Sequence, residues 1–302
     1  MIVVGIDAHK DSHTFVAIDS AGRKLGSKTT KSSTAGHLQA IRWAHKTFGA
    51  DVSWAVEDCR SVTRRLEDDL MMAGHSVTRV PAKLMARTRT ASRTVGKSDP
   101  IDALAVARAA LEEPRLPIAT RHDGLRELKL LVDRREDLIM QRIATNNRLL
   151  WRLHELDPDY SLAPGDLTHK NHRYRTADFL EQHHGLVSDL ARDELADITR
   201  LCEQAQILQR RLTERVRREC PHLLAIHGCG DLSAAKIVAE TAGVERFPTE
   251  AAFARFAGVA PEPAWSGKTE GRMRYVRTGN RRLNAGLHRI AITQRAMIRT
   301  CG

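Results

Sequence analysis

The order in which strand and helix signals arrive in the first 115 residues constrains the fold of this chain more than any other feature. Residues 2–6 are a continuous apolar run, as in a strand covered on both faces. Residues 14–18 and 24–30 follow, parted by the turn signal Asp19-Ser20-Ala21-Gly22, and the three segments read as a meander. Residues 34–48 carry helical spacing, with Leu38, Ile41 and Trp43 among the apolar positions. Residues 52–56 read as a fourth strand, 62–73 as a helix and 76–80 as a fifth strand. Three antiparallel strands followed by alternating helices and strands make an α/β arrangement.

That order is similar to the one found in the ribonuclease H-like fold, and residues 1–115 are expected to form such a domain. The chain then changes character. Residues 125–155 hold neither Gly nor Pro, and a heptad column runs through Leu125, Val132, Ile139, Asn146 and Leu153. Leu128, Leu149 and Leu156 fill the second column, interrupted by Arg135 and Arg142. Polar residues in a seam reduce stability but set register or face a ligand. A loop rich in Pro, Gly and His (residues 157–172) leads to a second helical stretch, with a seam of Ile198, Leu201, Ala205, Leu208 and Leu212. Residues 116–220 are thus expected to form a long helical region, either an antiparallel or intermolecular coiled coil or two core helices of a bundle. The last segment, 221–302, is expected to be small and mostly helical. It opens with LLAIHGCGDLSAAKIVAE, where an apolar run, Gly228, Gly230 and a helix of small residues make a helix-hairpin-helix pattern, although a plain helical hairpin reads the same way. Glycines there let backbone N–H groups approach a phosphate with no Cβ in the way.

Four carboxylates punctuate the α/β part: Asp7 in GIDAHKD, Glu57 in AVEDCR, and Asp99 and Asp102 in GKSDPIDA. Asp7 and Glu57 close apolar strands, where a carboxylate must be solvated, paired or liganded because burying it alone is costly. A turn cap is the alternative for Asp7. Glu57 adjoins Asp58, and alternation lets one of the two share the face of the strand's inward set. Asp99 and Asp102 carry two readings. As a helix start, Asp99 is the N-cap and Pro100 the first helical residue, and the dipole stabilises acids there by roughly 0.3–1 kcal/mol. As an (i, i+3) pair, both acids reach one site from one helical face. Acids gathered at one end of a sheet hold oxygen-seeking divalent metals, Mg²⁺ or Mn²⁺.

Around these acids the chain is basic, with a formal net charge of +11. Residues 70–98 contain no Asp or Glu but hold Arg79, Lys83, Arg87, Arg89, Arg93 and Lys97. From residue 264 onward Glu270 is the one acid among nine Lys and Arg residues. A well-solvated surface is the plain reading. One window free of acids and a second holding a single one favour a polyanion partner, because Lys and Arg gain affinity by displacing counterions from phosphates. The five cysteines are far apart with no C-x-x-C pair, so free thiols are expected rather than a disulfide framework or a zinc site. The N-terminus reaches an acid at position seven without a basic start, so no signal peptide is expected, and no apolar run has the length of a membrane span.

Taken in order, GIDAHKD, AVEDCR, VGKSDPIDA, LLAIHGCGDLSAAKIVAE and FARFAGVAPEPAWSGKTEGR resemble the DEDD-type transposases of bacterial insertion sequences. These are also called bridge-RNA-guided recombinases and are related to the Piv-type DNA invertases. The motifs cover both ends of the chain, while the helical middle matches in character. The resemblance implies that Asp7, Glu57, Asp99 and Asp102 hold Mg²⁺ in a RuvC-like domain and that Ser266 is the nucleophile of the C-terminal domain. It implies recombination of donor and target double-stranded DNA through a 5′-phosphoserine link, guided by an RNA from the element. It further implies a site assembled from different subunits of a dimer or tetramer, in the cytoplasm of a bacterium and associated with its nucleoid. Family members usually continue with further helices past the segment matching Ile-Ala-Ile-Thr-Gln, so a copy shortened at the C-terminus is expected.

Ser266 is chemically coherent in that role. A hydroxyl is a weak nucleophile that needs a base or a metal. No His adjoins it, while Lys268, Arg272 and Arg274 are placed to neutralise charge building on a phosphoryl group. Two rival readings are a structure-selective nuclease that uses the four acids alone, and a remnant that binds the element's nucleic acid without strand exchange. A kinase of the actin-like fold is disfavoured, because GIDAHKDS lacks a Gly-rich phosphate turn after its Asp.

Overall fold

The computed structural model describes residues 1–58, 60–82, 84–85, 98–113, 116–120, 123–275 and 278–300. They divide into two compact units, Met1–Arg121 and His122–Gly302. In the first unit β1 (Ile2–Ala8), β2 (Ser12–Ile18) and β3 (Lys24–Lys31) form the expected antiparallel meander. α1 (Thr34–Phe48) crosses to β4 (Val52–Glu57), which lies parallel to β1. α2 (Arg60–Met72) crosses to β5 (Val77–Val80), parallel to β4, and the sheet order is β3-β2-β1-β4-β5. α3 (Asp99–Glu112) covers the sheet's other face. This mixed sheet has the strand order and directions of the ribonuclease H-like fold.

Strand alternation decides what each face buries. Val4, Ile6, Phe15, Trp54 and Val56 pack against Ala40 and Ile41 of α1 and Leu66 and Leu70 of α2. Val3, Val16, Ile18 and Ala55 turn the other way and meet Ala103, Val106 and Ala107 of α3. The odd-numbered residues of β1 therefore lie under α3. The approach is closest at Gly5, where a Cβ would stand 2.2 Å from the Ala103 carbonyl oxygen and 2.4 Å from the Ala107 nitrogen. The helix backbone occupies the space a side chain would need, which is why the strand carries glycine there.

On the α1 side, His13 is 2% exposed and stacks on His37 with ring centroids 5.1 Å apart. Burial, helped by the neighbouring His37, lowers the His13 pKa to about 4. Its imidazole is neutral in the folded protein near neutral pH, whereas the unfolded chain takes up a proton near 6.5. Stability from this group is therefore complete above pH about 6.5 and is lost as the pH falls towards 4, by up to about 3 kcal/mol. Urea unfolding at about pH 7.5 and about pH 5 is expected to show this loss, and His13→Gln to flatten it.

The second unit is helical. α4 (Asp123–Leu156) leads through α5 (Lys170–Glu181) to α6 (Leu186–Glu219). α4 and α6 pair antiparallel. Arg148 and Arg152 reach Glu194 at 3.4 and 3.0 Å, Arg142 faces Cys202, and Glu127 pairs with Arg215 at the opposite end. The buried stripe of α4 is Leu128, Val132, Leu138, Thr145, Leu149 and Leu153. Leu138 and Thr145 thus stand where the heptad placed Ile139 and Asn146, which are half-buried. A helix of 3.6 residues per turn drifts from a seven-residue repeat, and here the stripe serves two clusters. Leu128 and Val132 pack with Leu212 and Val216, while Leu149 and Leu153 pack with Leu180, Ala191 and Leu195.

After residue 220 a single helical turn at Pro221–Leu224 precedes α7 (Asp231–Thr241), so the helix-hairpin-helix pattern delivers one full helix rather than two. α8 (Glu250–Phe256), β6 (Glu262–Pro263) paired with β7 (Met273–Arg274), and α9 (Arg281–Thr300) follow. Ala234 and Ile237 of α7 and Leu283 and Ile290 of α9 join the cluster of Leu128 and Leu212, so this core is continuous across residue 220. Glu240, buried on α7, accepts from Lys129 Nζ at 2.8 Å and Asn280 Nδ2 at 2.9 Å, tying α7 to α4 and to the start of α9. Among the described residues no helix is long and apolar enough to cross a membrane.

Candidate active site

β1 and β4 run parallel with Ile6 beside Val56, so Asp7 and Glu57, one residue further along each strand, end at the same edge of the sheet. Both are in phase with the residues that face α3, Gly5 in one strand and Ala55 in the other. α3 runs against the direction of β1. Its Ala103 and Ala107 lie over Gly5, and its first turn brings the charges of Asp99 and Asp102 to bear on Asp7. The cap falls one residue earlier than the sequence suggests. Ser98 is the extended N-cap, Asp99 the first helical residue and Pro100 the second, with the Ile101 and Asp102 N–H groups donating to the Ser98 carbonyl at 2.9 and 3.1 Å. Asp99 is therefore not the cap, although the helix dipole still favours both acids.

Asp7 is 5% exposed. His9 Nε2 lies 2.9 Å from its Oδ2 and 3.5 Å from Asp99 Oδ1. Asp7, His9 and Asp99 each present a ligand atom, and these atoms all lie within 4.8 Å of one another. Asp102, one helical turn on from Asp99, is buried. Burial raises the Asp7 pKa; His9 offsets part of that, and Asp102 and Asp99 add to it. Side chains grouped in this way could hold a cation. Hard oxygen donors with one imidazole fit Mg²⁺, and the nitrogen suits Mn²⁺ equally well. Sequence reasoning passed over His9, although it stands in the same GIDAHKD run, two residues past the strand-ending acid.

The basic residues read from the sequence meet different fates. Arg79 is nearly buried and donates from Nη2 to Glu67 Oε2 at 2.5 Å, so its guanidinium is taken up inside the unit. Lys83, Arg87, Arg89, Arg93 and Lys97 lie outside the described residues, as does the Lys268 side chain. Ser266 sits exposed at the N-cap of a 3-10 turn, Gly267–Thr269, inside the loop that joins β6 and β7. Its N–H donates to Thr269 Oγ1 at 3.2 Å, its carbonyl accepts from the Thr269 N–H at 2.8 Å, and the Ala264 N–H closes the loop's base onto the Arg272 carbonyl at 2.8 Å. Arg272 is exposed on the same loop, and Arg274 is exposed on β7 just past it. Gly228 has φ +82° and packs against α9, where a Cβ would meet Thr293 at 3.0 Å; Gly230 stands open as the N-cap of α7.

The α/β unit thus carries an acidic cluster at the ends of its central strands, and the helical unit carries an exposed serine loop. Residues 4–158 match the IS110 DEDD transposase profile and residues 220–300 the profile described as transposase IS116/IS110/IS902 family. The chain belongs to this family of transposases. It is similar to an uncharacterized 44.8 kDa protein of insertion element IS116 from Streptomyces clavuligerus, with 33% identity over 171 residues, covering 54% of this chain and 42% of that protein. It is also similar to an uncharacterized 42 kDa protein of insertion element IS900 from Mycobacterium paratuberculosis, with 25% identity over 331 residues, covering 92% of this chain and 82% of that protein. Among solved structures, Thermus thermophilus RuvC in complex with Holliday junction substrate aligns with 39% of this chain and 99% of its own length, at 15% identity and a TM-score of 0.32, a likeness too slight to carry function.

Proposed function

We propose that this protein cuts and rejoins DNA strands as the transposase of an insertion sequence, with a divalent cation at Asp7, Glu57, Asp99 and Asp102 and with Ser266 as nucleophile. The observation that carries this reading is the convergence of Asp7, His9 and Asp99 at the edge of the sheet. A bound Mg²⁺ or Mn²⁺ supplies charge neutralisation at the phosphate and stabilisation of a leaving oxygen. Asp7, buried and crowded by other acids, is the anchor of the set. His9 holds the Asp7 carboxylate in place from the exposed side. In the covalent step the Ser266 Oγ–P bond forms and the P–O3′ bond breaks, the serine proton leaves to solvent and the freed 3′ oxygen takes one up. Reversal by the exchanged strand's 3′-OH restores the serine. To Arg272 and Arg274, both exposed shortly after Ser266 in the chain, this reading gives the role of offsetting charge on that phosphoryl group.

Two features extend the reading. Met140, Ile143 and Trp151 are exposed on α4, which favours a homo-oligomer joined along the helical unit. The strongly basic balance favours a guide RNA beside the DNA. The test incubates the protein with guide RNA, donor and target DNA, with and without Mg²⁺. A covalent protein–DNA adduct that needs the metal and disappears in Ser266→Ala is expected. Hydrolysed ends that persist in Ser266→Ala would replace this reading with a nuclease that uses the acids alone, and binding without cleavage would reduce the protein to a nucleic-acid-binding remnant.

A further inference from the structure

Within the second unit a cleft of about 320 Å³ opens between α4, α7 and α9. Its floor is apolar, from Val132 and Ile139, and its walls carry Arg135, Lys236 and Arg289. Glu136 also lines it, but that carboxylate already holds Lys236 Nζ and Arg282 Nη2, each at 2.5 Å. Other arginines of the unit are satisfied by acids: Arg152 by Glu194, Arg192 by Asp189, Arg200 by Asp197. Arg135 differs. Among the described residues its Nε–H is buried without a hydrogen-bond acceptor. Burial lowers its pKa and the like charge of Arg142 lowers it further; Glu136 offsets part of this, and Arg289 adds a smaller lowering. A guanidinium remains charged all the same, so the cleft gathers cationic side chains and leaves a buried donor unmet, which is unfavourable until an acceptor arrives.

The acceptor that answers this set is a tetrahedral oxyanion. It offers several oxygens to a guanidinium fork, and arginine recognises phosphate in that bidentate way. The first turn of α7 contributes Ser233 to the wall, which adds the positive end of a helix dipole. A cleft this size admits one phosphate and the face of an adjoining sugar against Val132 and Ile139, and it is too small for a duplex. We propose that the cleft seats a single backbone phosphate of a nucleic acid, held by Arg135 and Arg289 with Lys236 beside them. The choice of nucleic acid as the bearer rests on the transposase reading; the preference for a phosphate does not depend on chemistry at Asp7 or Ser266.

The test uses the full chain, with Arg135→Gln and, separately, Arg289→Glu, whose side chain is exposed and leaves the core untouched. Arg200→Gln, paired with Asp197 on α6, is the comparison. Fluorescence anisotropy of a short labelled DNA duplex over a range of KCl is expected to show roughly tenfold weaker binding for each cleft variant. The slope of log affinity against log salt should fall by about one, while Arg200→Gln matches the unsubstituted protein. Inorganic phosphate should raise the melting temperature of the unsubstituted protein and not that of Arg135→Gln. Cleft variants that bind the duplex like Arg200→Gln overturn the proposal, and if phosphate protection alone survives, the cleft is a small-anion seat instead. Asp7→Asn, assayed in parallel, separates the two readings. Lost cleavage with normal cleft behaviour leaves this one standing, and intact cleavage by the unsubstituted protein with insensitive cleft variants removes this one alone.

Discussion

Asp7→Asn is expected to lower metal-dependent DNA cleavage by 10²–10³-fold or more, the order associated with removing one preorganised electrostatic group from a reacting centre. The variant should nevertheless fold at least as well as the original protein. Burial and the charges of Asp102 and Asp99 raise the Asp7 pKa above its ordinary 3.8. A carboxyl whose folded pKa is raised detracts from stability in full at pH above that value, and the penalty is lost progressively as the pH falls from there to the ordinary 3.8. Asparagine keeps the shape and still accepts from His9, whose Nε2 lies 2.9 Å away, but carries no charge to desolvate. The melting temperature near neutral pH in the presence of a chelator should therefore stay level or rise. Retention of cleavage by this variant would sink the metal reading, and a lowered melting temperature would show that the charge is needed for folding.

Much of the first unit was legible because its elements are specified locally. The apolar run at residues 2–6, the turn at 19–22 and the periodicity of 34–48 each survive as an element of the expected type. The convergence of the acids was legible in part, because strand alternation fixes the face of Asp7 and Glu57 once the register of β1 against β4 is known. The sequence could not give that register, nor the one-residue shift that makes Ser98 the cap and Asp99 the first helical residue. His9 escaped because a lone histidine in a turn has no pattern to mark it; its meaning depends on Asp99, ninety residues away. Arg79 misled for the complementary reason. It belongs to a basic window in the sequence, but Glu67 on α2 takes its charge in the fold. In the second unit the heptad reading found the two long helices and misplaced the seam, since Leu138 and Thr145 are chosen by packing at both ends of the pair rather than by a strict repeat.

Gly5 joins folding to chemistry more directly than any of the acids, and Gly5→Ala is expected to damage both. The new Cβ would press on the backbone of α3, on the Ala103 carbonyl at 2.2 Å and the Ala107 nitrogen at 2.4 Å, and on the Ala107 Cβ at 2.7 Å. A flexible side chain can turn aside from such a contact, but a helix backbone must move as a body. Overpacking of this kind costs about 1–3 kcal/mol, occasionally more. Movement of α3 away from β1 carries Asp99 and Asp102 away from Asp7, because both acids stand on the first turn of the displaced helix. A misplacement of about 1 Å at a reacting centre is worth on the order of 10²-fold in rate. Gly26→Ala is the matched comparison, since its Cβ would meet the Phe48 ring at 3.4 Å, an ordinary contact on β3. Urea unfolding is expected to place Gly5→Ala well below Gly26→Ala in stability. Titration with Mn²⁺ should show weaker metal binding for Gly5→Ala at a denaturant-free temperature where both variants are folded. If Gly5→Ala binds Mn²⁺ as tightly as Gly26→Ala does, the acids do not depend on the seating of α3, and the cluster must be held by its own loop rather than by the fit of helix to strand.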